Sequence, residues 1–125
     1  MTNQEAAVST QKRWTLADAI HLWKKIHVQL DAAGFLCGIY GSVLEGEGRD
    51  LDLLIIPKRI NTSAQRAAEQ LAETTGGTLG DAYDGIMGTQ AYILMLANGQ
   101  LVDLQFYKPR APKDAEELFL STPPA

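Results

Sequence analysis

The chain has 125 residues, 46% of them hydrophobic and 21% charged, with a formal net charge of -4. That length predicts one domain, 1–125, with a single core, so anything bulky has to be held by a partner protein or by a second copy in a homodimer. The acidic balance argues against a protein that coats nucleic-acid phosphates, the longest apolar run, "AYILMLA", is far too short to cross a bilayer, and the single Cys37 cannot form an intramolecular disulfide.

The amino-terminal "MTNQEAAVST" lacks the basic and apolar regions of a signal peptide, so a cytoplasmic location is expected. Residues 1–11 read as a loose polar tail. Thr15, three residues before Asp18, starts an amphipathic helix in the manner of a capping box, and Leu16, Ala19, Ile20, Trp23, Ile26 and Leu30 recur at helical spacing until Gly34. His21 and His27 are six apart and fall on different faces, the wrong spacing for a shared metal. "FLCGIYG" and "DLDLLIIP" read as strands, and "NTSAQRAAEQLAETTGG" as a helix capped by Asn61 or Thr62. Its face of Ala64, Ala67, Ala68, Leu71 and Ala72 is small enough for close packing on a sheet. Three more strands follow, "TLGDAY", "TQAYILMLA" and "QLVDLQFY", the last two joined by a tight hairpin turn at Asn98-Gly99. Pro109 ends the last strand, a short helix is expected over 112–120, and 121–125 is a second loose tail. The order α-β-β-α-β-β-β-α predicts an α/β (α+β) domain with a mixed sheet and helices mainly on one face.

The stretch "YGSVLEGEGRDLDLLIIP" carries the chemistry. Side chains two apart in a strand share a face, so Asp50 and Asp52 stand side by side while Leu51 and Leu53 face the core. Such a pair is costly to keep charged when partly buried unless a cation neutralises it, and Mg²⁺ is the natural candidate. Alone, the pair reads equally well as edge-strand charge that discourages aggregation. A third acid, Asp103, shares a strand face with Leu101 and Gln105. If that strand lies beside the Asp50 strand, three carboxylates converge and could hold two metal ions about 3.5–4 Å apart, as in phosphoryl transfer. Gly41 permits close approach of a phosphate to the backbone, and the Ser42 hydroxyl can bond one of its oxygens. Arg49 reads equally as a phosphate contact and as an exposed loop arginine. Glu45 and Glu47 read as solvated loop acids, and Asp81 and Asp84 as turn residues outside the site. Lys108, Arg110 and Lys113 form a basic cluster that reads as a solvated sheet end. Trp14, Trp23, Tyr92 and Tyr107 read as packing residues.

Gly41-Ser42, a short connection, Asp50-Leu51-Asp52-Leu53 and a later strand bearing Asp103 together resemble the nucleotidyltransferase superfamily related to DNA polymerase beta, in particular its minimal single-domain members. The resemblance spans roughly residues 36–107, and departs from the family in the seven-residue connection Val43 to Arg49, which is shorter than usual. It implies that Gly41 and Ser42 contact a triphosphate, that Asp50 and Asp52 bind metal, and that Asp103 completes the metal site and helps activate an acceptor hydroxyl. The activity implied is metal-dependent transfer of a nucleoside monophosphate from a nucleoside triphosphate such as ATP, with two Mg²⁺ ions, or Mn²⁺ in their place. The acceptor is a protein hydroxyl, a small molecule or an RNA end. The alternative is a non-catalytic regulator on the same fold that binds a nucleotide or a partner, and a phosphodiester-cleaving metal site is a third reading.

Overall fold

The computed structural model describes residues 12–108. Both expected tails, the helix over 112–120, and Pro109 lie outside the described residues. The chain enters as a two-residue strand, β1 (Trp14–Thr15), not anticipated from the sequence. The Thr15 hydroxyl then accepts the Asp18 amide at 3.1 Å and caps α1 (Leu16–Ala32). Ala19, Ile26 and Leu30 of the expected stripe are buried, whereas Ile20 is exposed. A helix turns about 100° per residue, so position 20 stands beside the stripe centred on Ala19 and Ile26.

β2 (Phe35–Tyr40) and β4 (Asp50–Pro57) are the two expected strands. A single 3-10 turn, Ser42–Glu45, and β3 (Glu47–Gly48) connect them, and β3 pairs antiparallel with β1. Helix α2 (Ala64–Thr75) is capped by Ser63, not by Asn61 or Thr62: the Ser63 Oγ accepts the Arg66 amide at 3.2 Å, and the two earlier residues stand too far back to reach an orphan amide of the first turn.

The segment expected as one strand, "TLGDAY", is broken into β5 (Thr78–Leu79) and β6 (Tyr83–Asp84), both paired with β7 (Gln90–Met95). Leu79 lies opposite Leu94 and Tyr83 opposite Ala91, so four steps of chain face three. The extra residue acts as a bulge and turns Tyr83 to the opposite face from the one simple alternation after Leu79 predicts. Between β7 and β8 (Leu101–Phe106), Leu96 and Gln100 extend the pairing and three residues, 97–99, make the crossing. The Leu96 amide donates to the Gln100 carbonyl and the Gly99 amide to the Leu96 carbonyl, both at 2.9 Å, with Gly99 at φ +89°. This is a three-residue hairpin with glycine in the left-handed position, not the two-residue turn expected.

The main sheet has the order β2-β4-β8-β7-β5, with β6 also on β7. β4 and β8 run parallel and every other pair is antiparallel. Ala19, Ile26 and Leu30 of α1 and Ala67, Ala68 and Leu71 of α2 join Leu51, Leu53, Ile55, Val102, Leu104 and Phe106 in one core. Both helices therefore cover the same face, as expected. Phe106 meets Phe35 and Tyr92 edge to face, with centroids 5.4 and 5.9 Å apart. Trp14 is buried and its Nε1 donates to the Leu101 carbonyl at 2.7 Å, tying the β1–β3 ribbon to the start of β8. No described helix is long and apolar enough to cross a membrane.

Leu53, fully buried on the interior strand β4 between Ile39 of β2 and Leu104 of β8, has packed neighbours that cannot close over a void. Leu53→Ala is expected to destabilise the domain by about 2–5 kcal/mol, read as a lower midpoint in urea with an unchanged slope.

Candidate functional site

The alternation that buries Leu51, Leu53 and Ile55 turns Asp50 and Asp52 to the face without helices. In β8 the same alternation buries Val102, Leu104 and Phe106 and turns Asp103 and Gln105 outward. The parallel register sets Asp52 beside Asp103, one strand spacing of about 4.8 Å away. On the other flank Tyr40 of β2 lies opposite Asp52, and Ile93 of β7 lies opposite Asp103. Tyr40, Asp52, Asp103 and Ile93 thus form one row across four strands, with Asp50 two residues before Asp52.

The electrostatics of this row follow from crowding. Burial, then the charge of Asp103, then that of Asp50, push the Asp52 carboxyl up to about 6. Burial, reinforced by the Asp52 and Asp103 charges, pushes the Tyr40 phenol up to about 12. Asp50 Oδ1 is buried and has no hydrogen-bond partner among the described residues. Gly41 caps the 3-10 turn at φ +88°, and a Cβ added there would stand 2.5 Å from Asp52 Oδ2. Only glycine allows the turn to approach the acids this closely. An orphaned buried oxygen, a crowded carboxylate row and a donor set made only of oxygens fit a hard cation. Asp50, Asp52 and Asp103 are the residues that could hold one. They do not form a closed cage, and no such three-residue cluster of His, Cys, Asp or Glu occurs among the described residues.

With the strand order, the acid row and the glycine turn in place, the fold can be matched. Solved structures with the same architecture include a cytoplasmic RNA terminal U-transferase, with a TM-score of 0.54 at 11% identity over 86% of this chain. They also include the RNA terminal uridylyl transferase Cid1, with a TM-score of 0.53 at 13% identity, again over 86% of this chain. This is the nucleotidyltransferase fold. The chain spans about a third of these neighbours, 31% and 33% of their lengths. No protein-family profile and no curated protein sequence matches it.

Within that fold the structure brings together five of the six residues picked out from the sequence: Asp50, Asp52 and Asp103 on adjacent strands, and Gly41 and Ser42 on the turn against Asp52. Arg49 is exposed beside Asp50 and forms no ion pair among the described residues. Glu47 is paired with Arg13 at 2.6 Å, so its charge is offset from β1's side. Lys108 lies past the end of β8, near Pro57 and Phe35 and away from Asp103. Arg110 and Lys113 lie outside the described residues. Tyr107 is exposed, against the packing role expected of it, while Trp14 and Tyr92 are buried and Trp23 stacks on His27 at 4.1 Å.

Two site residues were not found by sequence reasoning. Tyr40 was legible, since it follows Gly38 by two in β2 and so shares its outward face. Tyr83 was not, because the bulge before β6 inverts its orientation. Its hydroxyl donates to Asp103 Oδ1. A cavity of about 580 Å³ lies elsewhere, wrapped round the far end of the β2 edge by Trp23, His27, Val28, Leu36 and Ile56. Asp31 lines it, but Asp50, Asp52 and Asp103 do not.

The raised Asp52 carboxyl has a measurable consequence. The folded chain holds more protons than the unfolded chain between the ordinary carboxylate value of 3.8 and about 6, so stability falls as pH rises through that window and stays lower above it. Asp52→Asn is expected to raise the melting temperature by a few degrees at about pH 8 in metal-free buffer, with the gain vanishing below about pH 4. A pH-independent difference in a thermal melt would contradict this origin of the shift.

Proposed function

We propose that the domain is a metal-dependent nucleotidyltransferase, which binds a nucleoside triphosphate with Mg²⁺ and transfers its nucleoside monophosphate to an acceptor hydroxyl, releasing pyrophosphate. The observation that carries this reading is the in-register pairing of Asp52 with Asp103 on parallel strands, with Asp50 and the Gly41-Ser42 turn against them.

Each part has a role that its position supports. Gly41 and Ser42 receive the triphosphate, through close backbone approach and the serine hydroxyl. Asp50, Asp52 and Asp103 would hold Mg²⁺, which supplies charge neutralisation at the transferring phosphoryl group and its leaving oxygen. Asp103, beside Asp52 on β8, orients the acceptor hydroxyl and takes its proton. In-line transfer requires positioning and charge stabilisation more than covalent catalysis, so this short set of side chains suffices. The likeness to RNA terminal uridylyl transferases supports the reaction class. The acceptor, whether a protein hydroxyl, a small molecule or an RNA end, is left to experiment. A regulator that binds a nucleotide or partner without turnover is favoured by one observation, the single 3-10 turn in the short connection to β4.

Calorimetric titration of each nucleoside triphosphate with Mg²⁺ tests the reading. Binding is expected to require Mg²⁺ and to weaken at least about tenfold in the Asp50→Asn, Asp52→Asn double variant, a loss of about 1.4 kcal/mol. Binding that is indifferent to Mg²⁺ and to both acids would remove the metal site from the account. Asp103→Asn is expected to keep triphosphate binding while slowing transfer of label from the α phosphate by about a hundredfold or more. A regulator would bind equally well in this variant and show no transfer in the wild type.

A further inference from the structure

An acceptor hydroxyl in this site has to stand within hydrogen-bond reach of Asp103. One hydroxyl of the chain already does. Tyr83 Oη donates to Asp103 Oδ1, and the direction of that bond is set by the residues behind it. Gln105 is buried, at 2% exposure, although it points to the open face. Its Oε1 accepts from Thr89 Oγ1 at 2.5 Å and from the Ile86 amide at 3.2 Å, which leaves Nε2 as the donor to Tyr83 Oη at 3.2 Å. Because Oη accepts from Gln105, its own proton is directed at Asp103. Gly85 makes the arrangement compact: a Cβ there would collide with Gln105 Oε1.

A tyrosine that served only to quiet the repulsion between Asp103 and Asp52 would need no access from outside. Tyr83 is 39% exposed on the same open face as the acids, and its strand is only two residues long. Tyr40 is the other phenol near the acids, but no hydrogen bond joins it to an acid among the described residues.

We propose that Tyr83 is itself an acceptor, so that the domain transfers a nucleoside monophosphate to its own Tyr83 phenol. The inference rests on the transferase reading above. The Tyr83 oxygen forms a bond to the α phosphorus, the bond from that phosphorus to the bridging oxygen breaks, and pyrophosphate leaves with the bonding electron pair. The phenol proton passes to Asp103. The product is an aryl phosphodiester that fills the acceptor position, so the reaction runs once per chain and closes the site to other acceptors.

The test is intact-mass spectrometry of the full chain after incubation with Mg²⁺ and each ribonucleoside triphosphate in turn, alongside calorimetric binding of the same triphosphates. The expected result is a gain of one nucleoside monophosphate less water, located on Tyr83 by peptide fragmentation, at a rate independent of protein concentration. It is lost in Tyr83→Phe, which still binds the triphosphate, and in Asp103→Asn, and is kept in Tyr40→Phe. Triphosphate binding without any adduct overturns the self-modification and leaves the transferase reading standing. An adduct on Tyr40 or another residue also overturns the Tyr83 assignment. Absence of triphosphate binding removes both.

Discussion

Two carboxylates set side by side on neighbouring strands repel each other, and nothing in local chain preference would place them so. They are held by the burial of the residues between them. Leu51, Leu53 and Ile55 on β4 and Val102, Leu104 and Phe106 on β8 lock the parallel register from beneath, under both helices. Because strand alternation has a period of two, a slip of one residue would drive the acids into the core and the leucines into water. The hydrophobic face thus sets the geometry of the polar one, and the cost of crowding the acids surfaces as the raised Asp52 carboxyl.

Much of this was legible in the sequence, and the reason is that alternation survives wherever a strand is regular. β2 and β4 stand where their apolar runs predict, α2 packs through its alanines, and the adjacency of the Asp50 and Asp103 strands agrees with three acids meeting on one face. The family resemblance rested on those same residues and named the fold that the structural neighbours share.

What the sequence hid is what depends on departures from regularity or on contacts between distant segments. The ribbon of β1 and β3 is made of two-residue strands, too short to carry a period. The bulge before β6 reverses the side on which Tyr83 emerges, and no reading of "GDAYDG" by itself locates an extra residue that only the pairing with β7 defines. The burial of Gln105 is likewise set from elsewhere, by Thr89 and Ile86, which convert an outward-facing polar side chain into the back wall of the site. At the hairpin, Asn98-Gly99 correctly marked a turn, but the backbone used the glycine as the last residue of a longer crossing.

The seven-residue connection to β4 takes on a different meaning once its supports are counted. Ser42 Oγ and the Val43 amide would stand 2.8 and 3.1 Å from a Cβ on Gly48, which sits opposite Trp14 in the ribbon, and the Trp14 indole is bonded to the carbonyl of Leu101 at the head of β8. The glycine turn and the strand of Asp103 therefore share one brace. A longer, freer loop would have to lose conformational entropy each time it closed on an anion, whereas this strap has surrendered that freedom on folding. Brevity here amounts to preorganisation: the turn is fixed relative to the acids before any ligand arrives.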